Sequence, residues 1–193
     1  MSYKSILVQL TPTQDTASAL EAGLRIAAAH GASLTGLYTR REIALLKIVF
    51  GADNLSVIDA EARERPLMEK AEAEFRAACL AGGVRATWDV GEGNASELLS
   101  LAGRCHDLII VQQSVTGLDG FGSDIAEECA VVSGVPTLIV PKKGLPASTG
   151  QRVVVAWNHS RQSAAAVQGA MPFIEKAEQV VVLLGPKRDL TPS

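Results

Sequence analysis

The stretch Gly117-Leu118-Asp119-Gly120-Phe121-Gly122-Ser123 carries the residue types best suited to hold a charged ligand. Glycines let backbone N–H groups approach phosphate oxygens, and a helix N-terminus directly after them favours an anion. A glycine-rich surface turn is the plainer alternative, because glycine often simply marks a loop. A second candidate is Thr11-Pro12-Thr13, which ends the first apolar run. A third, Cys105-His106-Asp107, offers nucleophile and metal-ligand side chains. Adjacent residues at a helix-to-strand junction point in divergent directions, and no second ligand cluster accompanies them, so these three read as a structural junction. Cys79 and Cys129 fall in helical segments and are expected to pack as small hydrophobes. His30, in the last turn of a helix, is explained by the helix dipole. His159 is a turn residue with no evident partner. Trp88 and Trp157 fall on strands and read as core or interface. No acid–base pair, nucleophile–base pair or metal set can be assembled, which argues against an enzyme.

The bulk properties point the same way. At 193 residues the chain exceeds one average domain and falls short of two. With 47% hydrophobic and 20% charged residues it has material for a packed core and no sign of disorder. A net charge of −3, with no Lys/Arg cluster, argues against a nucleic-acid surface. Apolar runs are far shorter than the roughly 20 residues of a membrane span. Met1-Ser2-Tyr3-Lys4 runs straight into a strand-like segment without a signal-peptide pattern. Three widely spaced cysteines fit neither a disulfide framework nor a zinc site. The expectation is a reduced, cytoplasmic protein without metal.

The elements that must position these residues alternate. Residues 5–10 form an apolar strand, and helical spacing of Leu20, Leu24, Ala27 and Ala28 follows over 16–30, closed by Gly31. A second strand spans 33–39, and a helix over 59–81 stops at Gly82-Gly83. The charge-rich run 59–74 reads as the solvated face of that helix. Alternation over 84–90 gives a third strand. Asn94 caps a helix to about Arg104, helped by Glu97. The fourth strand, 108–111, is continuously apolar and so buried on both faces. A helix over 124–132 and a fifth strand over 136–141 complete the series. Alternating strands and helices imply parallel pairing, right-handed crossovers and a doubly wound Rossmann-like α/β sheet.

One domain is therefore complete at residue 142, and 143–151 has linker composition. The pattern then restarts. Residues 152–160 mirror the first strand and turn, 163–177 the first helix, and 179–184 the second strand. Such a unit of roughly 35 residues cannot bury its apolar faces alone. In an open parallel sheet, ligands lie beyond the carboxyl ends of the strands at the topological switch, here Thr11 to Thr13 and Gln112 to Ser123.

Several stretches resemble the universal stress protein family, in particular its tandem two-domain members. They are Ile6 to Thr13, His30-Gly31-Ala32-Ser33-Leu34, Asp107-Leu108-Ile109-Ile110-Val111, and Gly122 to Glu128 leading to Val135-Pro136-Thr137-Leu138-Ile139-Val140-Pro141. The resemblance covers 1–141 and the family's opening unit again in 152–185. It implies a five-stranded sheet of order 3-2-1-4-5, as in adenine nucleotide alpha hydrolase-like folds, followed by a truncated second domain over 152–193. It also implies an edge strand five that commonly mediates dimerisation. Nucleotide-binding members resemble Gly-x-x-Gly, nine residues, then Gly-Ser or Gly-Thr. Gly117 and Gly120 match the first pair and Gly122-Ser123 the last, but only Phe121 lies between. Thr11 stands where the family has an acidic residue, and Pro12, which lacks an N–H, where it has glycine. In the partial repeat Asn158 and His159 take those places.

The resemblance thus implies a non-catalytic stress-response or regulatory protein with a degenerate nucleotide site at Thr11, Gly117, Gly120, Gly122 and Ser123. It would act as a homodimer through 135–140, through the 152–185 unit, or both. The alternative is an ATP- or AMP-binding module with at most slow hydrolysis. The apolar cluster 44–50 is expected to cover the mouth of the site.

Overall fold

The computed structural model describes residues 2–11, 17–40, 55–113 and 125–185. The segment 44–50 and the glycine stretch 117–123 lie outside them. The described chain divides into two compact units, one over 3–144 and one over 145–185 with Ser2.

The first unit holds strands β1 (Ser5–Leu10), β2 (Ser33–Arg40), β3 (Ala86–Glu92), β4 (Leu108–Gln112) and β5 (Thr137–Val140). Between them run helices α1 (Ala17–His30), α2 (Leu55–Ala81), α3 (Ala95–Gly103) and α4 (Ile125–Val132). The sheet order is β3-β2-β1-β4-β5, and every pairing is parallel. β1 pairs with β2 from Ser5↔Ser33 to Leu10↔Tyr38 and with β4 from Ile6↔Leu108 to Val8↔Ile110, so the order reverses between β1 and β4.

The apolar pattern explains why both faces are closed. On one face Leu7, Leu37, Leu99, Ile109, Val111, Ala126 and Cys129 form a buried cluster under α3 and α4. On the other, Ile6, Val8, Leu34 and Tyr38 are buried with Ala19, Ala22 and Ile26 of α1 and Phe75 and Cys79 of α2. Trp88 packs against Tyr38 and Phe75, with ring centroids 5.8 and 5.6 Å apart. α3 approaches the sheet most closely at Gly103. A Cβ there would meet Ile109 Cγ1 at 2.9 Å and its Cδ1 closer still.

The helix ends follow local chemistry. Asn94 Oδ1 accepts from the backbone N–H groups of Ser96 (2.9 Å) and Glu97 (3.2 Å), which starts α3 where expected. Gly31, at φ 63°, supplies the left-handed residue that ends α1. α2 begins four residues earlier than the composition over 59–81 suggests. β3 starts two residues later than expected, because Val84 donates its N–H back to Cys79 O at 2.9 Å in the helix stop. On the solvent side of α2, Arg65–Glu69, Lys70–Glu74 and Glu72–Arg76 form exposed ion pairs one turn apart. Such pairs keep the face solvated and contribute only a few tenths of a kcal/mol each.

The second unit is a β-α-β: β6 (Arg152–Trp157), α5 (Arg161–Ile174) and β7 (Gln179–Leu184). β6 and β7 are parallel, from Arg152↔Gln179 to Trp157↔Leu184, the same start-to-start register as β1 and β2. The element order and strand register are those of β1, α1 and β2. No described helix is long and apolar enough to cross a membrane.

Candidate functional site

The switch between β1 and β4 places the ends of those strands together. Leu10 is buried there and Thr11, the one expected site residue that the structure describes, is half-buried beside it. Gly117, Gly120, Gly122 and Ser123 lie outside the described residues, so their positions relative to Thr11 are not part of the geometry.

The rim is built largely from neutral polar side chains that the sequence reading missed. Gln9, Thr39 and Gln112 are all buried at the carboxyl ends of β1, β2 and β4. Strand alternation puts Gln9 on the α3/α4 face with Leu7, and Gln112 on the α1/α2 face with Val8 and Leu10. Gln9 Nε2 and Gln112 Oε1 find no hydrogen-bond partner among the described residues. One signal was available: an amide at the end of an otherwise apolar strand buries a group that must be satisfied by something. Arg40 at the end of β2 is held by Glu92 of β3 at 2.7 Å, and Lys142 follows β5, its carbonyl accepting from Ser18 Oγ at 3.0 Å near the start of α1. A triphosphate needs concentrated positive charge or convergent backbone donors; the described rim combines buried amides and hydroxyls with the paired Arg40 and the exposed Lys142.

The Cys105-His106-Asp107 junction is structural, as its spacing indicated. Asp107 Oδ2 accepts from the backbone N–H groups of Lys4 (2.7 Å) and Ser5 (3.0 Å), tying the start of β1 to β4. The His106 ring bridges Ala102 O at 2.9 Å and Thr35 Oγ1 at 3.1 Å. Cys105 is exposed, whereas Cys79 and Cys129 are buried. Burial pushes both of those thiols up, which disfavours the reactive thiolate. No group of three His, Cys, Asp or Glu among the described residues could hold a metal ion.

In the second unit the turn after β6 is closed on itself. Asn158 Oδ1 accepts from Ser160 N at 3.1 Å, and Ser160 Oγ caps α5 through Ser163 N at 3.1 Å. His159 has a partner that the sequence did not reveal: its Nδ1 accepts from Trp157 Nε1 at 3.2 Å, with His159 at φ 62°.

No family model matches the sequence, and no curated protein is similar to it. Solved structures are similar. One from Burkholderia pseudomallei, of the universal stress protein family, is 26% identical, with 72% of this chain covering 96% of that one at a TM-score of 0.51. The chain is similar to structures of the universal stress protein family. A universal stress protein from Archaeoglobus fulgidus is 15% identical with a TM-score of 0.60. There the match takes in 94% of this chain and 79% of the other. A universal stress protein solved in complex with cAMP is 19% identical, covering 74% of this chain and 99% of its own, with a TM-score of 0.52. At those two identities the likeness is one of universal stress protein fold alone.

Proposed function

We propose that this chain is a non-catalytic stress-response protein of the universal stress protein type that acts by association, with itself first. In this reading residues 1–142 are a whole domain, 143–151 a linker, and 152–193 the opening part of a second domain. The observation that carries it is unfinished surface. β5 pairs only with β4 among the described strands and presents Ile139 at 40% exposure. Sheet edges and bare apolar strands are the parts of a fold that recruit partners. The nucleotide site at Thr11, Gly117, Gly120, Gly122 and Ser123 is degenerate: the loop is shortened and the acidic residue is replaced by Thr11.

The test is a titration of the full chain with ATP and magnesium, followed by thermal unfolding. A ligand at 100 times its dissociation constant stabilises by about 2.7 kcal/mol, or roughly 5–10 °C in a chain of this size. The expected result is no shift.

A second reading, a nucleotide-binding module, is favoured by one observation, the similarity to a universal stress protein solved with cAMP. The same titration with cAMP separates the two readings. A saturable stabilisation by either nucleotide selects the second.

A further inference from the structure

The inward stripe of α2 changes character along its length. Helical spacing puts Cys79, Phe75, Ala71, Met68 and Glu64 on one face. Cys79 and Phe75 are fully buried, Ala71 and Met68 are half-buried, and the position after them is a half-buried carboxylate. Pro66 stands between Met68 and Glu64, inside the helix. It has no N–H to give the carbonyl of Ala62, so the helical ladder lacks a bond there. The exposed Arg65–Glu69 pair crosses the proline but holds it weakly. What Glu64 faces is polar. Tyr38 and Arg40 alternate onto the α1/α2 face at the carboxyl end of β2, and Trp88 of β3 leans on the Tyr38 ring. The Tyr38 hydroxyl, Arg40 Nε and Trp88 Nε1 are each buried without a hydrogen-bond partner among the described residues. Glu64 is close enough to the Tyr38 hydroxyl to raise its pKa.

We propose that the part of α2 before Pro66, residues 55–65, is a hinged lid on the carboxyl ends of β2 and β3, which opens about the proline while the part after it stays docked. The two parts stand on opposite sides of one balance. After Pro66, closure buries Phe75 and Cys79, and opening would return their apolar surface to water. Before it, closure holds water away from three polar groups that gain nothing in exchange, and opening lets water satisfy them. The proline places a bend where the first situation gives way to the second. Opening hydrates Tyr38, Trp88 and Arg40 on the α2 side of the sheet. The lid is therefore a device of the first unit, independent of the association reading above.

Hydrogen exchange of the full chain, resolved by residue, tests this. The quantity read is the exchange rate of amides 59–65, past the first turn whose N–H groups have no helical partner, relative to amides 70–79. In the wild type the ratio is expected to exceed about tenfold. Pro66→Ala restores the missing N–H and should bring the two parts to within about threefold of each other. Tyr38→Phe keeps the ring and removes one group that closure leaves unsatisfied, so it should slow amides 59–65 by about fivefold while 70–79 stay unchanged. A helix end that merely frays predicts no response to a substitution on β2. A ratio unmoved by Tyr38→Phe therefore overturns the lid, and so does a wild type in which 59–65 exchange as slowly as 70–79. A Pro66→Ala chain that keeps the wild-type ratio overturns the hinge.

Discussion

Tyr38 shows how a single buried hydroxyl can cost stability. Its ring is fully buried against Trp88, yet its OH finds no hydrogen-bond partner among the described residues. Desolvation, reinforced by Glu64 and only partly offset by Arg40, pushes its pKa up to about 12. Tyr3 is pushed to about 12 as well, by burial and then by Asp107. Both groups keep their proton in the folded chain after the unfolded chain has released it. The unfolded state therefore binds fewer protons between about pH 10 and 12, and stability falls across that window, by on the order of 2 kcal/mol per tyrosine. Denaturant unfolding at pH 8, 10 and 11.5 should show the decline. Tyr38→Phe should cost less than about 0.5 kcal/mol at pH 8, since it removes an unsatisfied polar group, and should roughly halve the alkaline loss. A loss above 2 kcal/mol at pH 8 would mean that the hydroxyl is satisfied after all. Asp107 is the opposite case. Its carboxylate holds two backbone N–H groups at the start of β1, so Asp107→Ala should cost about 1 kcal/mol and Asp107→Asn less, because an acceptor oxygen remains.

At the scale of elements, periodicity revealed which faces are buried better than where strands begin. Ala86, Trp88 and Val90 kept their expected phase in β3, while Val84 and Arg85 were spent on closing α2. That choice depends on Gly83 adopting φ +65°, which composition permits but does not dictate. The polar rim was half-legible. Thr11 was singled out from the turn after β1, but Gln9 and Gln112 hid inside runs that otherwise read as plain apolar strands. His159 escaped because its bond to Trp157 exists only with a left-handed backbone at the turn. Gly103 was invisible for a different reason, since close packing of α3 on β4 is a tertiary fact. Gly103→Ala should destabilise by about 1–3 kcal/mol, because Ile109 is fully buried and has nowhere to retreat. Ile109→Val in the same chain removes the Cδ1 carbon that the new methyl meets. The double variant should therefore recover part of the loss, and strict additivity in urea melts would refute the packing account.

At the scale of the whole molecule, the two units differ in how thoroughly their strands are enclosed. β1 and β4 lie inside a five-stranded sheet with helices on both faces, whereas β6 and β7 form a two-stranded sheet on which β7 is exposed throughout. Two strands alone are marginal in water, and backbone amides that open easily exchange easily. Hydrogen exchange on the dilute full chain should therefore give the slowest amides in Ile6–Val8 and Leu108–Val111, with those of Val180–Leu184 faster by several orders of magnitude. Equal protection in both units at low concentration would mean that they open as one cooperative body. The fully enclosed sheet supplies the internal reference against which exchange in the second unit is read.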